Sequence, residues 1–155
     1  MNNKRVLFVC TYHGARARIA EEFMKEYAGG RIDVFSSCFD PGKIGPLPIG
    51  IMNEVGINIS SESPKTVFDR YADKERFDYV ITLCHESTTE QCAVFRMNID
   101  TLFRKYAERI SWSIQDFKSL QGTDEEKKEG SRRIRDNIKA EVISFLDHMG
   151  ESHGT

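Results

Sequence analysis

The run RVLFVC at residues 5–10 is β-branched and aromatic with no polar position after Arg5, and FDYVITLC at 77–84 is a second run of the same kind. Such runs suit strands buried on both faces of a parallel sheet rather than half-exposed strands, which alternate. Between them the pattern changes period. Ile19, Phe23 and Tyr27 recur on one helical face, with Ala20 and Met24 beside it, until Gly29-Gly30 ends the helix. IDVFSS at 32–37 reads as the next strand. A second helix follows the turn-rich DPGKIGP, with Pro46 or Pro48 in its first turn and Leu47, Ile51 and Val55 on its apolar face up to Gly56. Strands alternating with helices predict an α/β fold in which a parallel sheet carries helices on both faces, joined by right-handed crossovers. Ligands of such sheets bind beyond the carboxyl ends of the strands. Cys10 and Cys84 both lie at such ends.

Farther along, a short helix is expected at Thr66–Ala72. Ile99, Leu102, Phe103, Tyr106 and Ile110 follow helical spacing, and ISWS suits a last short strand. Thr123 and Glu126 form a capping box opening a long charged helix, whose Ile134, Ile138, Val142, Phe145 and Met149 face the core. The chain of 155 residues is long enough for one domain with a real core, read as residues 1–149, with 150–155 as a disordered tail.

Lys and Arg total 22 against 24 Asp and Glu, both signs interspersed, so nothing marks a nucleic-acid or anionic-membrane partner. The apolar N-terminal run is too short for a signal peptide or a membrane span, so a cytoplasmic protein is expected. In that setting four cysteines argue against a disulfide framework, and the absence of any Cys-x-x-Cys or zinc-like histidine spacing argues against a metal.

Cys10-Thr11-Tyr12-His13-Gly14-Ala15-Arg16 is a Cys-x5-Arg segment set between a strand and a helix. A loop of this length can turn successive backbone N–H groups toward one point, which the positive end of the helix also faces. That field favours an anion and a thiolate, and the arginine fork can hold two oxygens of a tetrahedral oxyanion. The competing reading is a buried structural thiol with a surface arginine, and the strand before and helix after weigh against it. His13 is equally well a loop residue facing solvent. Cys84 and Cys92 have seven residues between them. If that stretch is helical they stand about two turns apart and can bond only after local unwinding; two unrelated buried thiols is the alternative. Cys38 has no partner in sequence and is read as buried. Asp116, in WSIQDF, is a candidate acid with nothing local to distinguish it from a solvated turn residue.

With these segments in view, the chain resembles the thioredoxin-coupled arsenate reductases, which share the low-molecular-weight tyrosine phosphatase fold. VLFVC with ARARIAEEF is similar to that family's phosphate-binding loop and first helix, PLPIGIMNEVGINIS to its second-helix segment, and FDYVITLC with Cys92 to its redox segment. WSIQDF and GTDEEKKEGSRRIRDNIKAEVISFL continue the similarity. The resemblance implies a three-layer sandwich with a four-stranded parallel sheet. It also implies that Thr11 to Arg16 bind the oxyanion, Cys10 attacks arsenate, Arg16 grips it, and Asp116 protonates the departing oxygen. Cys84 would then attack Cys10, and Cys92 would attack Cys84, leaving an exposed Cys84–Cys92 disulfide for thioredoxin. No cofactor or metal is implied, and a monomer is expected.

The chain departs from the family pattern at several places. His13 replaces the usual Asn, Ala17 the usual Ser after the arginine, Phe117 and Ala93 usual prolines, and the cysteine spacing is one residue longer. Residues 96–109 resemble an insertion, expected to form a helix near the redox segment. Glu21 and Ser36 match positions that help hold a monovalent cation in some members, and Lys65 stands where a carboxylate would complete that site, so its ammonium is expected to replace the ion. Two alternatives remain beside reduction of arsenate: hydrolysis of phosphomonoesters by the same loop, and a non-catalytic protein that binds an oxyanion or senses oxidation.

Overall fold

In the computed structural model, which describes residues 3–85, 92–103 and 105–152, four parallel strands stand in the order β2-β1-β3-β4. They are β1 (Lys4–Tyr12), β2 (Ile32–Asp40), β3 (Tyr79–Cys84) and β4 (Glu108–Ser113). The helices are α1 (Ala15–Ala28), α2 (Pro46–Asn53), α3 (Val67–Ala72), α4 (Cys92–Phe103) and α5 (Asp124–Ser152). The period of two along β1 divides the interior. Val6, Phe8 and Cys10 enter a core with Ile19, Phe23, Ile138 and Val142 of α1 and α5, whereas Leu7 and Val9 enter a second core with Val67, Phe95 and Ile99 of α3 and α4. The result is the three-layer sandwich with a four-stranded parallel sheet that the family resemblance implies.

The strand order fixes where a ligand belongs. From β1 the chain crosses outward to β2 and then back over to β3, so β1 and β3 flank the switch point at which crossovers diverge and a crevice opens at the carboxyl ends. Cys10 pairs with Leu83 across this junction and with Cys38 on the other side.

Several sequence expectations are corrected by tertiary contacts. The helical spacing through Tyr106 and Ile110 stops at Phe103, because Ile110 is drawn into β4 beside Ile81 and Tyr106 turns outward, half exposed. The helix after the turn-rich stretch ends at Asn53, leaving Val55 exposed, and Tyr27 also lies outside the core that Ile19 and Phe23 enter. At the other end α5 continues past the expected boundary at Met149 to Ser152, and residues 153–155 lie outside the described residues. The expected capping box forms: the Glu126 N–H donates to Thr123 Oγ1 and the Thr123 N–H donates to Glu126 Oε1, both at 3.1 Å.

α5 is tied to α2 by a carboxylate between two guanidiniums. Arg132 donates to both oxygens of Glu54, at 2.8 Å for its shortest contact, and Arg135 donates to Glu54 Oε1 at 3.1 Å and to the Ile51 carbonyl at 2.9 Å. The Arg132 hydrogen bonds hold the Glu54 carboxyl down at about 2, against an ordinary 4.5. A carboxyl depressed in the folded state contributes stability that is full above its unfolded value and is lost as pH falls through the folded one. Glu54→Gln is therefore expected to lower the Tm slightly at neutral pH, because the Glu54 and Arg132 side chains are partly exposed to solvent. Thermal melts of both proteins should converge between 4.5 and about 2. A gap that persists at the acid end would place the effect elsewhere.

Candidate active site

The loop after β1 is shaped by two left-handed residues. His13 has φ 58° and Gly14 φ 91°, turning the backbone from strand into α1. Histidine, like asparagine, adopts the left-handed region more readily than most residues, which is a physical reason for His13 to stand where the resembling family has Asn. Its ring lies on the backbone of Gly42, where a Cβ would collide with the imidazole, and a Cβ at Gly14 would collide with Pro64. Gly14 gives α1 no side-chain cap, and the first turn carries no acidic residue. The positive end of α1 is thus left to whatever anion the loop encloses.

The sequence places Cys10 at the carboxyl end of its strand; here β1 runs two residues further, to Tyr12, and Cys10 is fully buried. Its Sγ lies 3.8 Å from the Tyr12 carbonyl. Arg16 is no surface arginine either, being 1% exposed. Its Nη1 donates to the Ile114 carbonyl at 2.9 Å, its Nη2 donates to Thr11 Oγ1 at 3.2 Å, and Nη2 stands 4.0 Å from Asp116 Oδ1. A buried guanidinium is tolerated when its donors are satisfied, and these partners fix its plane. Asp116, anonymous in the sequence, therefore joins Cys10 and Arg16 at the same end of the sheet.

The two later cysteines are joined in a Cys84–Cys92 disulfide with Cα atoms 6.0 Å apart. The helical-spacing obstacle does not arise, since α4 begins at Cys92; residues 86–91 lie outside the described residues. The disulfide is not exposed, Cys84 and Cys92 being 4% and 6% accessible, because both pack into the α3 and α4 core with Phe95 and Val9. Thr11, on the opposite face of β1 from Cys10, places its hydroxyl 3.9 Å from Cys84 Sγ. Arg16, Thr11 and Cys84 thus form one connected series, a link the sequence does not announce. Nor does it announce the Ile114 carbonyl, 98 residues from the arginine it holds.

Beside the loop a cleft of about 450 Å³ is lined by Tyr12, His13, Ile44, Pro46, Asp116 and Phe117, with Lys43, Lys118 and Lys127 around it. The expected ammonium at Glu21 is corrected in identity. Lys65 turns to Asp73 at 3.1 Å and Glu75 at 3.8 Å, while Glu21 accepts from Ser36 Oγ at 2.6 Å and pairs with Lys25 at 3.1 Å and Arg18 at 3.5 Å. The reason is helical: Lys25 and Arg18 lie four and three residues from Glu21 on α1, so they reach it without crossing strands. Among the described residues no group of His, Cys, Asp and Glu is arranged to hold a metal, and no helix is long and apolar enough to cross a membrane.

A thiol under a Cys-x5-Arg loop, at the switch point of a 2-1-3-4 parallel sheet, defines a class of oxyanion-handling α/β proteins. The chain belongs to the low molecular weight phosphotyrosine protein phosphatase family, which it matches over residues 5–153. Within it, the chain is 32% identical to an arsenate reductase of Halalkalibacterium halodurans over 95% of this chain and 98% of that one. Its fold is similar to a solved arsenate reductase in the oxidized state, with TM-score 0.72 and 28% identity over 94% of this chain and 98% of that one. It is also similar to the thioredoxin-dependent arsenate reductase of Corynebacterium glutamicum, with TM-score 0.63 and 25% identity over 97% of this chain and 63% of that one.

Proposed function

We propose that this protein reduces arsenate to arsenite by a relay of Cys10, Cys84 and Cys92 that a thioredoxin-type dithiol recycles. The observation that carries the reading is the Cys84–Cys92 disulfide beside the Cys-x5-Arg loop, since hydrolysis of a phosphoester needs no such pair. Thr11 to Arg16 hold the oxyanion with backbone N–H groups and the guanidinium. The Cys10 thiolate attacks arsenic, an As–O bond breaks, and Asp116 supplies the proton with which that oxygen leaves as water. Cys84 then attacks Cys10 Sγ. The S–As bond breaks with its electron pair going to arsenic, so As(V) becomes As(III) while two thiols become a disulfide. Cys92 attacks Cys84, releases Cys10, and closes the Cys84–Cys92 bond.

The geometry supports a role for the last bond. Cys84 belongs to the α3 and α4 core and Cys10 to the α1 and α5 core, and the disulfide occupies the Cys84 sulfur beside Thr11 of the loop. Reduction returns that sulfur to the thiol state that the attack on Cys10 requires. The Thr11 hydroxyl, aimed at Cys84 and backed by Arg16, favours the thiolate that this attack requires.

The reading is tested by supplying arsenate, thioredoxin, thioredoxin reductase and NADPH and following nicotinamide oxidation. Oxidation independent of arsenate, or none, would sink it. Asp116→Asn is expected to lower kcat by roughly 10²–10⁴-fold with little change in KM; an unchanged kcat would remove Asp116 from the chemistry. The cleft beside the loop favours a second reading, hydrolysis of aryl phosphates, because inorganic arsenate has no apolar part to fill it. Hydrolysis of an aryl phosphate that survives in Cys84→Ser and Cys92→Ser, without arsenate reduction by the wild type, would favour that reading.

A further inference from the structure

Cys38 has no place in the relay, yet it is the strand neighbour of the nucleophile. β1 and β2 pair in parallel with Cys10 opposite Cys38, and each residue is one of the last before its strand's carboxyl end. The two side chains lie on the same face of the sheet. Cys10 continues Val6 and Phe8 into the α1 core, and Cys38 continues Val34 and Ser36, the latter bonded to Glu21 of α1. Paired strands run about 4.8 Å apart, within the Cα separation of about 4.4–6.8 Å that a disulfide spans. Both thiols are fully buried, and Cys38 supports the underside of the loop: its Sγ donates to the Pro64 carbonyl at 3.5 Å, and Pro64 packs on Gly14.

We propose that Cys38 is a resolving thiol for Cys10, forming a Cys10–Cys38 disulfide when a peroxide oxidises the nucleophile. The inference rests on the reading of Cys10 as the reactive thiolate. It applies to the form in which Cys84 and Cys92 are already joined, where Cys10 and Cys38 are the two cysteines left outside a disulfide and Cys84 cannot answer an oxidant at Cys10. The Cys10 thiolate attacks one oxygen of hydrogen peroxide, the O–O bond breaks, and after protonation the products are water and the Cys10 sulfenic acid. The Cys38 sulfur then attacks Cys10 Sγ, giving up its proton as the hydroxyl leaves as a second water, and an S–S bond forms. A dithiol reverses the bond by ordinary exchange. Burial, and next the charge of Cys10, push the Cys38 thiol up to about 11, so it attacks as the thiol and loses its proton in the step.

The test uses the full wild-type chain with its Cys84–Cys92 disulfide formed, treated with hydrogen peroxide, denatured in iodoacetamide and digested with trypsin without reduction. The expected product is a cross-link between the peptides of residues 6–16 and 32–43, and activity that returns with dithiothreitol. Cys38→Ala and Cys38→Ser, treated alike, are expected to carry Cys10 as sulfinic or sulfonic acid and to lose activity for good. Sulfinic or sulfonic acid at Cys10 in the wild type, with Cys38 alkylated, overturns this proposal and leaves the reductase reading standing. If Cys10 resists both peroxide and iodoacetamide in the native protein, the reactive-thiolate reading fails and this proposal fails with it.

Discussion

Cys10→Ser is expected to abolish arsenate reduction, with a loss on the order of 10⁴–10⁶-fold in the thioredoxin-coupled assay. The size reflects the nucleophile. A thiol can be ionised by a helix N-terminus and a guanidinium near neutral pH, while a hydroxyl in the same field stays protonated. The substitution is close in shape, and Cys10 sits fully buried between strands that pair on both sides, so the fold is expected to persist. Because the loop amides and Arg16 are untouched, Cys10→Ser should still bind phosphate or arsenate, seen as a ligand-dependent rise in Tm. Retained turnover would move the chemistry away from Cys10. Loss of both binding and turnover would instead show that the serine had disturbed the loop.

The second large effect separates the two later cysteines. Cys84→Ser and Cys92→Ser are each expected to stop steady-state nicotinamide oxidation, but at different steps. With Cys84 present, Cys92→Ser should release one arsenite per chain and stop as a Cys10–Cys84 disulfide, which peptide mapping without reduction reads directly. Cys84→Ser should release none, since no thiol takes the electron pair's place at Cys10. The asymmetry is a strong check, because a merely structural disulfide would affect both variants alike through stability. Equal bursts, or none from either, would contradict the order in which the relay runs. Both sulfurs are buried against α3 and α4, so their reduction requires that packing to loosen.

Much of this arrangement is legible in the sequence because local rules are strong. The apolar runs ending in Cys10 and Cys84 require strands covered on both faces, and a sheet of that kind gathers the loops beyond its carboxyl ends along one rim. The Thr123 and Glu126 capping box forms from four consecutive residues and needs nothing from the rest of the chain. Where the local pattern misleads, a distant contact overrides it. Ile110 fits the helical face of Ile99 and Phe103 in sequence, yet the open edge of β3 offers it a strand position beside Ile81. Lys65 matches Glu21 by position alone, and Asp73 and Glu75 hold it elsewhere.

By itself the sequence determined which residue types meet at the end of the sheet, because the spacing of a cysteine and an arginine between a strand and a helix is a local property. It could not say that Cys10 lies beneath the loop rather than on its rim, since that depends on β1 continuing to Tyr12. Nor could it supply the partners that orient Arg16, which lie across the chain at Ile114 and Asp116. The neighbour of Cys10 was likewise hidden: Cys38 stands 28 residues away in the chain and became adjacent when β1 and β2 paired in a single register. Register is set by how two strands bury their alternate faces against helices that the local sequence does not see.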